Sequence, residues 1–142
     1  MGATATARRG AKGPLRGDRL LLALVVVLCL PLVINVIAAL AAGWQGIGDE
    51  AAMALRAHDV GTSHSPLLGM PSTYTRITGR ETQQPGPLLF YVFAPGVRLL
   101  GTSAGLLITG LLVNAAAIAS STWFARRRGG RPLAVGVLLA MG

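Results

Sequence analysis

Two stretches of 23 residues, Leu20 to Ala42 and Thr102 to Phe124, contain no charged side chain, and they limit what this 142-residue chain can become. As an α-helix each would be roughly 34 Å long, enough to cross a hydrocarbon core of about 30 Å. Further apolar runs cover Leu88 to Leu100 and Pro132 to the end. Apolar residues gathered in blocks, rather than dispersed at a helical or strand period, point to a bilayer. Composition agrees: 52% of the residues are hydrophobic and 13% charged, against about a quarter charged in soluble domains.

The net charge of +8 would suggest nucleic acid in a soluble protein. Here the basic residues flank the apolar blocks, as topology signals do, so nucleic-acid binding is excluded as a function class. Cys29 is the single cysteine and lies inside the first block, which leaves no disulfide and no cysteine-based metal site.

The expected fold class is all-α integral membrane: two complete transmembrane helices plus the start of a third, with a long outer loop containing a short helix and an interfacial helix. Residues 1–18, with Arg8, Arg9, Lys12 and Arg16, are small and basic and read as a disordered cytoplasmic tail. The first span is 19–42, with Pro31 as a candidate kink. Its length exceeds the roughly 7–15 residues of a signal-peptide core, so an uncleaved anchor is expected rather than cleavage near Ala39-Leu40-Ala41. Residues 43–101 form an extracytoplasmic loop, 102–124 the second span, 125–132 a basic cytoplasmic loop, and 133–142 the start of a third span. The segment 86–100 could be mistaken for a crossing. The positive-inside rule puts the basic tail and the cluster Arg126, Arg127, Arg128 and Arg131 on one side, which requires an even number of crossings between them. Pro87 and Pro95 would also interrupt a span there. A helix at the outer surface is expected, with Phe90, Tyr91 and Phe93 at the interface.

Apart from Asp18, every acid lies in the outer loop. Trp44 suits the interface, and Gly46-Ile47-Gly48-Asp49-Glu50 follows directly. Glu50 to Val60 favours a short helix, with Asp49 as N-cap and Gly61 as its stop. Asp49 then has two readings, a cap for an unpaired N–H or a base that accepts a proton from a substrate hydroxyl. Glu50 is either a first-turn acid or the partner of Asp49 in sharing a divalent cation. His58 and His64 lack a zinc spacing and read as solvated loop residues, and no metal site is assigned. Residues 61–84 are rich in Thr, Ser, Pro and Gly: a linker, or a functional loop of unusual length. Within it Arg76 and Arg80 could clamp a phosphate or simply face an anionic lipid surface. No internal repeat is visible.

The order of these features, Gly48-Asp49-Glu50-Ala51 after a first span, a polar loop, then Gln84-Pro85-Gly86-Pro87-Leu88-Leu89-Phe90-Tyr91 before a second span backed by arginines, resembles the N-terminal portion of the GT-C superfamily of polytopic glycosyltransferases. The similarity is to its protein-mannosyltransferase-like and aminoarabinose-transferase-like branch as found in actinobacteria. It covers residues 15–142. The resemblance implies transfer of a sugar from a polyprenyl-phosphate donor to an acceptor on the outer face of the inner (plasma) membrane, with the N-terminus cytoplasmic. Asp49 then matches the general base, with Glu50 as the adjacent alternative. Arg56, Arg76, Arg80 and Tyr91 are the substrate-binding candidates. The family has more spans than this chain, so the chain alone is expected to be inactive. The competing expectations are a transporter or permease fragment, or a structural membrane protein without catalysis. Transporters usually keep ionisable groups within their spans, and here only Asn35 and Asn114 are strongly polar there.

Overall fold

The computed structural model describes the backbone of residues 14–72, 74–83 and 86–142, and side chains from Arg19 onward except that of Arg76. The expected disordered tail falls outside the described residues as far as Gly13. Five helices follow one another: α1 (Pro14–Ala41), α2 (Asp49–Asp59), α3 (Tyr74–Thr78), α4 (Leu88–Leu100) and α5 (Thr102–Met141). Among the described residues there is no strand, and the one β-bridge joins Pro71 to Gln83. Two helices, α1 from Arg19 onward and α5, are long and apolar enough to cross a membrane.

Helix boundaries depart from the apolar blocks at both ends. α1 starts at Pro14 instead of residue 19, since proline suits the first helical turn and charge bars a residue from hydrocarbon, not from a helix. For the same reason the expected basic loop at 125–132 is helical: arginine is a good helix former, and α5 is interrupted only at Gly130, with φ 69° and ψ −161°. That conformation is open to glycine and strained for other residues, and Pro132 just beyond it restarts the helix.

The chain divides into two compact units, Leu30–Ala117 and, separately, Ile118–Gly142 with the chain up to Cys29. In the second unit Leu21 packs with Ala125, Ala134 and Leu138, and Leu24, Val25 and Leu28 join them. In the first unit the core lies between α2 and α4. α2 contributes the small residues Ala54 and Ala57, one turn apart, and α4 contributes Phe93, Ala94 and Val97, with Leu106 of α5 and the rims of Trp44, Met53 and Val60. Buried positions 90, 93, 94 and 97 trace one face of α4, the spacing of a helix packed on a neighbour. This corrects the expected interfacial role of Phe90 and Phe93, whose rings are buried at 3% and 7% exposure. The opposite face is apolar too, and Leu88 and Leu99 on it are 74% and 82% exposed. α4 begins at Leu88 instead of residue 86 because Gly86 has φ 63° and Pro87 takes the N-cap. It runs through Pro95, which sits on the exposed side.

α2 ends against the last turn of α4. The Arg98 guanidinium donates to the carbonyl of His58 at 2.8 Å and to that of Val60, taking up acceptors that the helix end leaves unpaired. Replacing Arg98 with Ala is expected to cost about 1 kcal/mol, a charge-assisted bond discounted for the exposure of the side chain. Thermal unfolding of the two proteins in the same detergent would measure it, and an unchanged midpoint would remove the clamp.

The stretch expected as a linker is tied together. Thr62 donates its N–H at 3.0 Å and its hydroxyl at 2.7 Å to the Asp59 carbonyl, and Gly61 N–H donates to Ser65 Oγ at 2.5 Å. Further on, Ser72 N–H donates to Thr82 O at 2.9 Å, and Thr75 Oγ1 lies 3.1 Å from both Thr82 O and Thr82 Oγ1, closing a loop around α3.

Candidate active site

The acid pair is positioned by the turn that precedes α2. Gly48 holds φ 58° and serves as N-cap, its carbonyl accepting from Ala52 N–H at 3.1 Å. Asp49 is therefore the first residue inside the helix and makes no side-chain capping bond, which corrects its expected role as N-cap. The physical reason is the glycine: its left-handed turn lets α2 start one residue early, so the helix needs no capping side chain at Asp49. Gly46 allows a close approach, because a Cβ there would meet Glu50 Cβ at 3.0 Å and Leu106 Cδ1 at 3.4 Å.

Asp49 and Glu50 line a pocket of about 210 Å³ with Met53, Met70, Gly86, Leu89 and Phe90. The acids come from the first turn of α2, and the opposite wall comes from the start of α4 and the glycine before it. Two elements 37 residues apart in sequence thus share one cavity that is acidic on one side and apolar on the rest. The carboxylates are exposed at its mouth. Such a site can hold a hydroxylated molecule by its apolar body while a carboxylate receives a proton. No third His, Cys, Asp or Glu groups with them as a metal site among the described residues. A divalent ion shared by the pair would therefore take its remaining ligands from substrate and water.

The other candidates are distributed. Arg56 lies two helical turns after Asp49 and lines a second pocket, about 300 Å³, with His64, Pro66, Leu67 and Gln83. Tyr91 is outside the acid pocket; its hydroxyl donates to Pro66 O at 3.3 Å and ties α4 to the loop that walls the Arg56 pocket. Arg80 is exposed in the turn after α3, its N–H facing Thr78 Oγ1 at 3.4 Å, and lines neither pocket. The proposed phosphate contact of Arg76 falls outside the described side chains. His64 pairs with Ser63 Oγ at 3.2 Å. Sequence reasoning missed Met53 and Met70 as pocket walls. Met53 could have been found, being one turn from Asp49 on the same helix face, whereas Met70 reaches the site through loop geometry that no periodicity announces.

No known protein family, curated protein or solved structure matches this chain.

Proposed function

We propose that this chain is the N-terminal part of a membrane glycosyltransferase that moves a sugar from a polyprenyl-phosphate donor to an acceptor on the outer face of the cell membrane. The observation that carries the reading is the shared pocket, where the two carboxylates of α2 meet the Gly86–Phe90 segment. In this reaction the acceptor hydroxyl sits in the pocket and gives its proton to Asp49 as its oxygen attacks the anomeric carbon. The bond from that carbon to the phosphate oxygen breaks on the opposite side, polyprenyl phosphate leaves, and the configuration inverts. Glu50 is the neighbouring alternative base. Arg56, farther along the same face of α2, supplies positive charge for the phosphate end of the donor.

Membrane residence is supported by what the long helices leave uncovered. On α1, Leu22, Val27 and Ile37 are 65%, 61% and 60% exposed, and many neighbours are similar. In water each such side chain forgoes about 1.5–3 kcal/mol, so a handful would cancel the roughly 5–15 kcal/mol that holds a domain together. The core helix of a soluble protein is mostly buried; this one is not. The apolar outer face of α4 suits a helix lying on the bilayer surface. Retention of α1 is favoured over cleavage because Leu21 contributes to the cluster around Ala134 and Leu138. The polar groups offer little to a transporter: Asn114 Nδ2 already donates to Gly110 O of its own helix at 2.8 Å.

The orientation is tested with Arg127→Cys in a Cys29→Ser background. An impermeant maleimide added to intact cells should leave the new thiol unlabelled and react only after the membrane is opened. Labelling from outside would overturn the proposed topology. The activity is tested by transfer from a labelled polyprenyl-phosphate sugar in membranes containing the product of the whole reading frame. Absence of transfer from any such donor would overturn the enzyme reading.

A further inference from the structure

The stretch from Ser65 to Thr75 has no charged side chain, and within it Leu67 and Leu68 stand 80% and 62% exposed. The turn that displays them is fixed at both ends. Before it, Ser65 Oγ donates to Asp59 O at 3.4 Å and accepts from Gly61 N–H at 2.5 Å. After it, Pro71 pairs with Gln83, and Ser72 N–H donates to Thr82 O at 2.9 Å. Pro66 is buried and its carbonyl accepts from the Tyr91 hydroxyl at 3.3 Å, so the next residue, Leu67, is held beside α4. The side of α4 that carries Tyr91 is its unpacked one: Leu88, Tyr91, Val92, Pro95 and Leu99 recur at helical spacing and all are exposed. Arg98, the one charge of α4, is drawn away to the carbonyls that end α2. In water each exposed leucine forgoes about 1.5–3 kcal/mol of burial, and a fixed pair beside a further apolar face marks a contact surface.

We propose that Leu67 and Leu68 insert into the hydrocarbon of the outer leaflet, and that Tyr91 is the positioning residue that holds them against α4 for this purpose. The surface is continuous with the helices read as spans. α4 meets α5 across Gly101 alone, and Trp44, just beyond the end of α1, packs on the same core as Phe93 and Val97. A bilayer also fits the chemistry better than another protein does. Protein interfaces carry hydrogen bonds and a polar rim, whereas this surface has no free charge and its one hydroxyl is engaged. Hydrocarbon accepts leucine without such bonds, and a turn ordered in advance loses little further entropy on insertion. Leu67 and Leu68 also wall the pocket that holds Arg56, so their insertion brings that pocket to the headgroup layer. The proposal rests on the membrane reading above and is independent of the transferase reading.

The test uses the whole chain in a Cys29→Ser background, reconstituted into phosphatidylcholine vesicles and spin-labelled at one introduced cysteine at a time. Collisions of the label with oxygen, which concentrates in hydrocarbon, and with a water-soluble nickel chelate separate three surroundings. Lipid favours oxygen, water favours nickel, and a protein contact excludes both. Ile34→Cys, on the exposed side of α1, reports whether the long helix lies in the bilayer, and Glu81→Cys, in an exposed loop, reports water. Labels at Leu67→Cys and Leu68→Cys should favour oxygen as Ile34→Cys does, the reverse of Glu81→Cys. Labels open to nickel at both leucines would leave the turn in water, and labels shielded from both reagents would place a protein on it; either result overturns the proposal. Tyr91→Phe, which removes only the hydroxyl, should shift Leu67→Cys toward nickel while Val92→Cys keeps its preference for oxygen. An unchanged label at Leu67→Cys, or an equal shift at Val92→Cys, would overturn the positioning role of Tyr91. If Leu67→Cys does not fold, Leu68→Cys carries the test. A label at Ile34→Cys that favours nickel would instead overturn the membrane reading itself, which separates the two failures.

Discussion

Asp49→Asn, placed in the product of the whole reading frame, is expected to lower the rate of sugar transfer by about 10²–10⁴-fold, the usual contribution of a positioned general base. Asparagine keeps the size of the side chain and its ability to accept a hydrogen bond, and it removes only the basic carboxylate. The fold should tolerate the change. Asp49 is exposed, makes no capping bond, and stabilises the start of α2 only through the helix dipole, worth about 0.3–1 kcal/mol. The loss should appear in kcat with KM little altered, since the apolar walls Met53, Leu89 and Phe90 still bind the acceptor. Glu50→Gln supplies the control within the same helical turn. A full rate in Asp49→Asn with a loss in Glu50→Gln would transfer the basic role to Glu50. A full rate in both variants would remove catalysis from this pocket altogether.

The hydropathy pattern was legible as two long apolar helices because block length and charge exclusion act over 20 residues or more and depend on no tertiary contact. Helix ends were less legible, for a physical reason seen at both Pro14 and Arg126–Arg128. Hydropathy marks which solvent a segment prefers, whereas helix formation follows propensity, and arginine is a good helix former beyond the end of an apolar block. The aromatic residues of α4 show the same limit. Phe90, Tyr91 and Phe93 look alike as a composition, yet their positions around the helix send Phe90 and Phe93 into protein and leave Tyr91 at the surface. The small residues Ala54 and Ala57 on α2 make room for the Phe93 ring, and that pairing is a contact between distant segments. Within the candidate site, the position of the acid pair at the start of α2 was legible from its place after the first apolar helix. Its cavity was not, because Met70 and Gly86 line it from loop positions that no periodicity announces. Arg98 could be seen only as a charge ending an apolar run; its role at the end of α2 depends on the packing of α4 against that helix.

That packing also fixes where the far wall of the pocket lies, and the position most sensitive to it is Gly105. Gly105→Ala is expected to destabilise the unit Leu30–Ala117 by about 2 kcal/mol, within the range for overpacking a close contact. A Cβ on Gly105 would lie 2.5 Å from Gly96 O and from the N and Cα of Val97, all of them backbone atoms with no rotamer to escape into. α5 would have to retreat from α4, and Val97, fully buried at 0% exposure, would lose part of its surroundings. Gly96→Ala makes a graded comparison, since its new methyl meets chiefly Thr109 Oγ1, a side chain that can turn, with Gly105 O at 3.1 Å. Gly136→Ala is the opposite control: nothing lies within 4 Å of its Cβ, and alanine is favoured over glycine in a helix by up to about 1 kcal/mol. Unfolding of the unit Leu30–Ala117 in detergent, followed by the fluorescence of Trp44 in a Trp123→Phe background, should rank Gly105→Ala below Gly96→Ala, with Gly136→Ala, in the other unit, no lower than the parent. The same separation would remove support from behind α4, whose Leu89 and Phe90 line the pocket, so the least stable variant should also lose activity at temperatures where it remains folded. Equal midpoints for Gly105→Ala and Gly136→Ala would mean that α4 and α5 do not approach this closely, and the far wall of the pocket would then lack the support described here.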